Sequence, residues 1–122
     1  MAAFKRFEEI IAWQKARVMV HEIYVICETG RISKDFGLKD QLTRAAISSM
    51  SNIAEGFGRG SDKEFVRFLD YSWASICEVQ SLLYAILDNK WIPQETFDSL
   101  YKHADEVASM VAGLSAYLKK RT

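Results

Sequence analysis

Apolar residues recur at threes and fours along nearly the whole of this chain, and very little interrupts them. That period is helical: side chains three and four apart share one face of an α-helix, whereas a half-buried strand alternates at every second residue. No segment alternates over a useful length, so no strand is expected. Pro93 is the only proline. Five of the six glycines fall at Gly30 and Gly37 and at Gly56, Gly58 and Gly60. These are the strongest breakers a chain carries, and they cut the pattern into four segments.

The first helix is predicted from Phe7 to Glu28, with Ile10, Trp13, Ala16, Val20, Ile23 and Cys27 on one face. A loop follows over Thr29–Phe36. The second helix is predicted from Leu38 to Glu55, with Leu42, Ala45, Ala46, Ile53 and Ala54 inward. Gly56 suits the residue just past its end, where a left-handed backbone closes a helix. Ser61-Asp-Lys-Glu64 reads as a capping box opening a third helix, Asp62 to Asn89. Pro93 suits the first turn of a fourth. That helix carries Phe97, Leu100, Ala104, Val107, Val111, Leu114 and Leu118, and ends in Lys119, Lys120 and Arg121, cations that suit the negative end of the dipole. Four long helices joined by short loops make an all-α, antiparallel, up-and-down four-helix bundle. About three quarters of the residues are expected in helix, against about one third in an average globular protein.

A chain of 122 residues fits one domain, residues 1–122. Hydrophobic residues at 49% and charged residues at 26% exclude a disordered chain. The start, Met1-Ala-Ala-Phe-Lys-Arg-Phe-Glu-Glu, has no apolar core of a signal peptide. No apolar run approaches the ~20 residues that span a bilayer. A soluble, cytoplasmic protein with no membrane association is expected. Cys27 and Cys77 sit on apolar stripes at no metal-ligand spacing and read as buried, reduced thiols.

The third helix has more apolar surface than one neighbour needs. Its first stripe is Phe65, Leu69, Ser72, Ile76, Val79, Leu83 and Ile86; a second holds Val66, Trp73, Cys77, Tyr84 and Leu87. A surface helix needs one stripe of about 100° or a little more. Either this helix touches both neighbours at the centre of the bundle, or the second stripe packs on another subunit. Every helix of a four-helix bundle keeps an outer face, which favours a subunit contact through Trp73, Cys77, Tyr84 and Leu87.

Catalytic chemistry is hard to find. A metal-binding bundle uses Glu-x-x-His pairs, and none occurs. His21 and His103 flank apolar stripes and read as partly buried packing residues. Gly56-Phe-Gly-Arg-Gly60 precedes a helix, but it follows a helix and lacks the lysine and serine of a phosphate loop. Ser48, Ser49 and Ser51 have no histidine nearby in sequence and read as small residues that let helices approach. No catalytic residue, metal or cofactor is expected. The alternative is a ligand-binding or enzymatic bundle with its site at a subunit interface.

Phe36-Gly-Leu38, Gln41, Arg44-Ala-Ala46, Asn52-Ile-Ala-Glu-Gly56, Gly58-Arg59, Ser61, Glu64, Phe68-Leu69 and Glu78 closely resemble the 23S rRNA intervening-sequence proteins, a family of bacterial four-helix bundles. Phe7, Ile10, Trp13 and Ala16 fit that family's opening helix. Asn-Ile-Ala-Glu-Gly followed by Gly-Arg is the most specific element. The family is also similar to accessory proteins of diversity-generating retroelements, which pair with a reverse transcriptase and bind nucleic acid. The resemblance implies a ring-shaped homopentamer, no catalytic residues, and a scaffold or adaptor role beside RNA, DNA or a nucleic-acid enzyme. It makes Asn52, Glu55, Gly56, Gly58 and Arg59 a family motif, read here as mainly structural. Two positions depart from it. Thr43 stands where a second arginine often precedes Arg44, and Met50 where a proline often bends the second helix.

Net charge bears on that role. Sixteen basic residues balance sixteen acidic ones, whereas dedicated nucleic-acid binders carry a basic excess. Residues 29–60 alone are positive, with five cations against three carboxylates. Arg44, Arg59, Lys63 and Arg67 are the candidate nucleic-acid contacts, the last three grouped near one end of the bundle. Asp62, Glu64 and Asp70 are interleaved with them and cancel much of the field.

Overall fold

The computed structural model describes residues 4–121. Four α-helices carry the fold: α1 (Ile11–Cys27), α2 (Phe36–Gly58), α3 (Asp62–Asp88) and α4 (Gln94–Lys120), with 3-10 turns at Phe7–Glu9 and Ile32–Lys34. Helix accounts for 85% of the structure, and no described residue lies in a strand. α1 packs on α2 and α4, and α3 packs on the same two helices. The helices therefore stand in a square with chain neighbours adjacent, as short connections require of an antiparallel bundle.

The core runs the length of the square. Ile10, Met19, Ile23, Leu42, Ile53, Leu69, Ile76, Leu83, Ile86 and Leu118 are essentially inaccessible. Each such side chain stabilises the fold by about 1.5–3 kcal/mol. Every residue of the predicted first stripe of α3 is buried, Ser72 included.

α2 and α3 make the most extensive contact, and its chemistry explains why. Ala45, Ala46, Ser49, Ser72 and Gly56 are buried, so the two backbones approach closely. The buried hydroxyls are satisfied within the pair: Ser72 Oγ donates to the Ser49 carbonyl at 2.7 Å and Ser49 Oγ to the Ala46 carbonyl at 2.6 Å. Met50 leaves α2 unbroken from Phe36 to Gly58.

Several boundaries differ from the sequence reading. Ile10 has extended backbone, so α1 begins at Ile11 behind the Phe7–Glu9 turn. α2 begins earlier than predicted because Asp35 caps it, accepting the Leu38 N–H at 3.0 Å. It also ends later. Gly56 stays helical, and Gly60 takes the left-handed conformation at φ 82°. A Cβ on Gly56 would lie 2.7 Å from Phe68 Cβ, so this glycine is required by the approach of α3 and not by a helix stop. Ser61 caps α3, accepting the Glu64 N–H at 3.2 Å, while the Glu64 carboxylate turns to Arg67 at 3.0 Å instead of reaching back. Pro93 caps α4 from just outside its first turn.

The α3–α4 connection holds an unexpected residue. Lys90 has φ 62°, with Lys90 N–H donating to Leu87 O at 2.8 Å and Trp91 N–H to Ile86 O at 3.1 Å. This is a Schellman closure, normally built on glycine. At the opposite end, Arg121 of the α4 terminus donates from Nε and Nη2 to the two carboxylate oxygens of Asp62 in the first turn of α3, the Nη2 bond at 2.8 Å.

Candidate interaction surfaces

The turn between α2 and α3 brings two of the candidate cations onto one ring. Phe68 lies beneath the guanidinium of Arg59, 4.7 Å from its centroid, and beside that of Arg67 at 5.5 Å. Arg67 also donates to the Tyr71 hydroxyl at 3.1 Å and lies 5.5 Å from that ring. Such stacking favours arginine over lysine, because the planar, weakly hydrated guanidinium loses little on meeting a ring face. Each arginine also faces a carboxylate at 3.0 Å, Arg59 with Glu55 and Arg67 with Glu64, so the local positive field is damped. Lys63 is exposed one turn before Arg67. Arg44 stands apart, exposed and 3.8 Å from Asp40. It lies fifteen residues before Arg59, about 22 Å along the helix.

The family motif divides by role. Asn52 donates to Ser48 O at 2.8 Å and to Ser48 Oγ at 2.9 Å, and Ser75 Oγ of α3 donates to the same hydroxyl at 2.8 Å. Asn52 thus completes the polar seam between α2 and α3. Gly56 permits their close approach. Glu55 and Arg59 pair on the surface. Gly58 is exposed, with open space where a Cβ would be.

The second stripe of α3 lies along its seam with α4. The Tyr84 ring packs on Phe97 at 4.9 Å and on Tyr101 at 5.6 Å, and a hydrogen bond with Tyr84 raises the Tyr101 pKa. Even so, Trp73 and Tyr84 remain 45% and 48% exposed, and Leu87 is half-buried. Cys77, expected to be buried, is exposed; it follows buried Ile76 by one 100° step and is carried out of the core. Cys27 is buried, and burial raises its pKa.

A second apolar surface was missed in the sequence. Ile11, Val18 and Val25 are 53%, 54% and 51% exposed. They recur every seven residues on the flank of α1 opposite to Ala12, Ala16, Met19, Ile23 and Cys27. The spacing was legible, but the stronger core stripe of the same helix masked it.

Other features are modest. A cavity of about 330 Å³ at one end of the bundle is walled by Phe4, Phe57, Phe65 and Tyr117. Asp62 and Arg121, the only charged side chains among the described residues that line it, neutralise each other. His103 Nδ1 and Glu22 Oε1 lie 2.7 Å apart, bridging α4 and α1. His21 is exposed, contrary to expectation. Among the described residues no three His, Cys, Asp or Glu side chains converge to hold a metal ion. Among them, too, no helix is long and apolar enough to cross a membrane.

A crystal structure at 1.70 Å of a protein with unknown function, from the S23 ribosomal protein family of Bacteroides thetaiotaomicron, superposes with a TM-score of 0.80. It is 18% identical and covers 87% of this chain and 96% of its own, which shows the fold alone. Comparison with curated proteins gives no match. Residues 8–113, from the start of the helical pattern to near the end of α4, match the family of the 23S rRNA-intervening sequence protein. That match spans all four helices and the Asn52–Arg59 motif, and the chain belongs to this family.

Proposed function

We propose that the chain is a non-catalytic oligomeric scaffold or adaptor of the bacterial cytoplasm, assembled as a ring-shaped homopentamer. One observation carries the reading: α1 and α3 each leave large apolar side chains about half exposed, on surfaces that do not face each other. Contiguous exposed apolar surface marks interaction sites. The number five comes from the family resemblance, whereas the exposed faces support association alone. Light scattering at micromolar concentration tests it, and a single-chain mass would reject it.

A second component is favoured by the Arg59–Phe68–Arg67 cluster. A ring repeats that cluster once per copy, and a local basic field can exist on a neutral protein. Because each guanidinium already faces a carboxylate, binding to RNA or DNA is weak, sequence-nonspecific and steeply reduced by salt. Titration of labelled RNA and DNA at low and moderate salt, with wild type and with Arg59→Ala/Arg67→Ala, checks this. Wild-type binding at low salt that the double variant loses supports the cluster. No binding at low salt would leave a scaffold for a protein partner, a nucleic-acid enzyme among the candidates.

A further inference from the structure

We infer that the Ile11–Val18–Val25 stripe of one copy seats in the α3–α4 groove of a second copy, beside Trp73, Cys77 and Tyr84. The inference rests on the oligomeric reading above and names the surfaces that meet.

The stripe has the form of a helix–helix seam. β-Branched residues occupy every seventh position, and Gln14 and His21 fall between them. β-Branched side chains at every seventh residue match one of the two seam positions of a coiled coil, while Gln14 and His21 make the other position polar. The core face of α1 lies elsewhere, so Ile11, Val18 and Val25 contribute little to the bundle itself.

The groove has the form of a receptor. Between α3 and α4 lies a depression of about 290 Å³, lined by Trp73, Val111, Ala112, Ser115 and Ala116. The alanines let another helix come close. Ser115 sits at the floor, only 7% exposed, and its hydroxyl has no hydrogen-bond partner among the described residues. Buried polar groups are nearly always satisfied, and a polar side chain arriving with the stripe, Gln14 or His21, supplies what Ser115 lacks.

Length and charge also agree. Ile11 to Val25 and Trp73 to Leu87 are each fourteen residues apart, about 21 Å of helix. Lys15 and Arg17 flank the stripe, and the acids beside it are paired within the chain, Glu22 with His103 and Glu8 with Arg6. Asp70 and Lys119 both line the groove, and Asp105 lies along the same seam, where it accepts from Gln80 at 2.9 Å. With two carboxylates against Lys119, the rim is acidic by one charge on balance, and it meets the cations beside the stripe.

Stripe and groove differ, so the contact is head-to-tail and each copy has two neighbours. Such contacts build a closed ring or an open filament. Val25 lies beside Glu95, Thr96 and Ser99 of α4, so the stripe and the α3–α4 groove occupy different sides of the square.

The exposed native thiol supplies the test. In the full chain, Ile11→Cys, Val18→Cys and Val25→Cys are made separately and oxidised with copper phenanthroline. At least one should give a reducible ladder of covalent multimers, absent when Cys77→Ser is added. Val18→Asp should shift the scattering mass to a single chain with an unchanged far-UV spectrum. An oligomer that gives no ladder from any of the three would overturn the docking and leave the oligomer standing. A ladder or dimer that survives Cys77→Ser would show α1 pairing with α1 and overturn it too. A monomeric wild type would remove both readings.

Discussion

Replacing Gly56 by alanine should destabilise the protein, although alanine is the better helix former. Gly56 is helical, and its added Cβ would meet Phe68 Cβ at 2.7 Å, Phe65 Cδ1 at 3.1 Å and the Phe65 carbonyl oxygen at 3.3 Å. Ordinary contact begins near 3.4 Å. The obstructing Phe68 atom is fixed to the α3 backbone, so the helices themselves must part by several tenths of an ångström. Overpacking of this kind costs about 1–3 kcal/mol. Against that, alanine gains up to about 1 kcal/mol of helix propensity, and less so near a helix end. The net loss is about 1–2 kcal/mol, which lowers Tm by about 4–8 °C for a domain of this size. Gly58→Ala is the control: nothing lies within 4 Å of its Cβ, so it should be neutral or raise Tm slightly. Thermal unfolding followed by circular dichroism compares the two. Equal Tm values for the variants would refute the close-approach reasoning.

Three further outcomes are expected. Lys90→Gly should stabilise by about 0.5–1 kcal/mol, since it relieves a left-handed backbone costing about 1–2 kcal/mol at the expense of some unfolded-state entropy; denaturant unfolding measures it. Ser72→Ala removes the donor to the buried Ser49 carbonyl and should cost about 1 kcal/mol in the same assay. The Arg121 guanidinium holds the Asp62 carboxyl below its usual range, so Asp62 contributes stability that is present above the ordinary value of about 3.9 and is lost as pH falls through the lower folded value. Asp62→Asn should therefore flatten the fall of Tm with pH below about 4.

How much was legible in the sequence depended on whether a residue's role was set by its own helix. Phe65, Leu69, Ile76, Leu83 and Ile86 were read correctly because helical period alone fixes which face they share. Gly56 was misread because a glycine cluster says that a break is near, not which glycine takes positive φ. The approach of Phe68 from α3 decides that. Lys90 gave no signal, since its left-handed backbone is imposed by the closure and not by the side chain. The cluster at Phe68 was read only in part. Arg59, Lys63 and Arg67 were placed near the turn by connectivity, and Glu55–Arg59 and Glu64–Arg67 are at helical spacing, but Arg59 meets the Phe68 ring beside Arg67 only once the turn is built. Cys77 shares a face with Trp73 and Tyr84 as its spacing suggested, but that face lies at the surface of the single chain, so its expected burial fails.

The central claim is that this bundle is one piece of a larger assembly. Its most direct test is the mass of the unmodified chain in solution, by light scattering coupled to gel filtration at micromolar concentration. The account predicts a single species at about five times the 14.0 kDa chain mass; a single species at 14.0 kDa would contradict it.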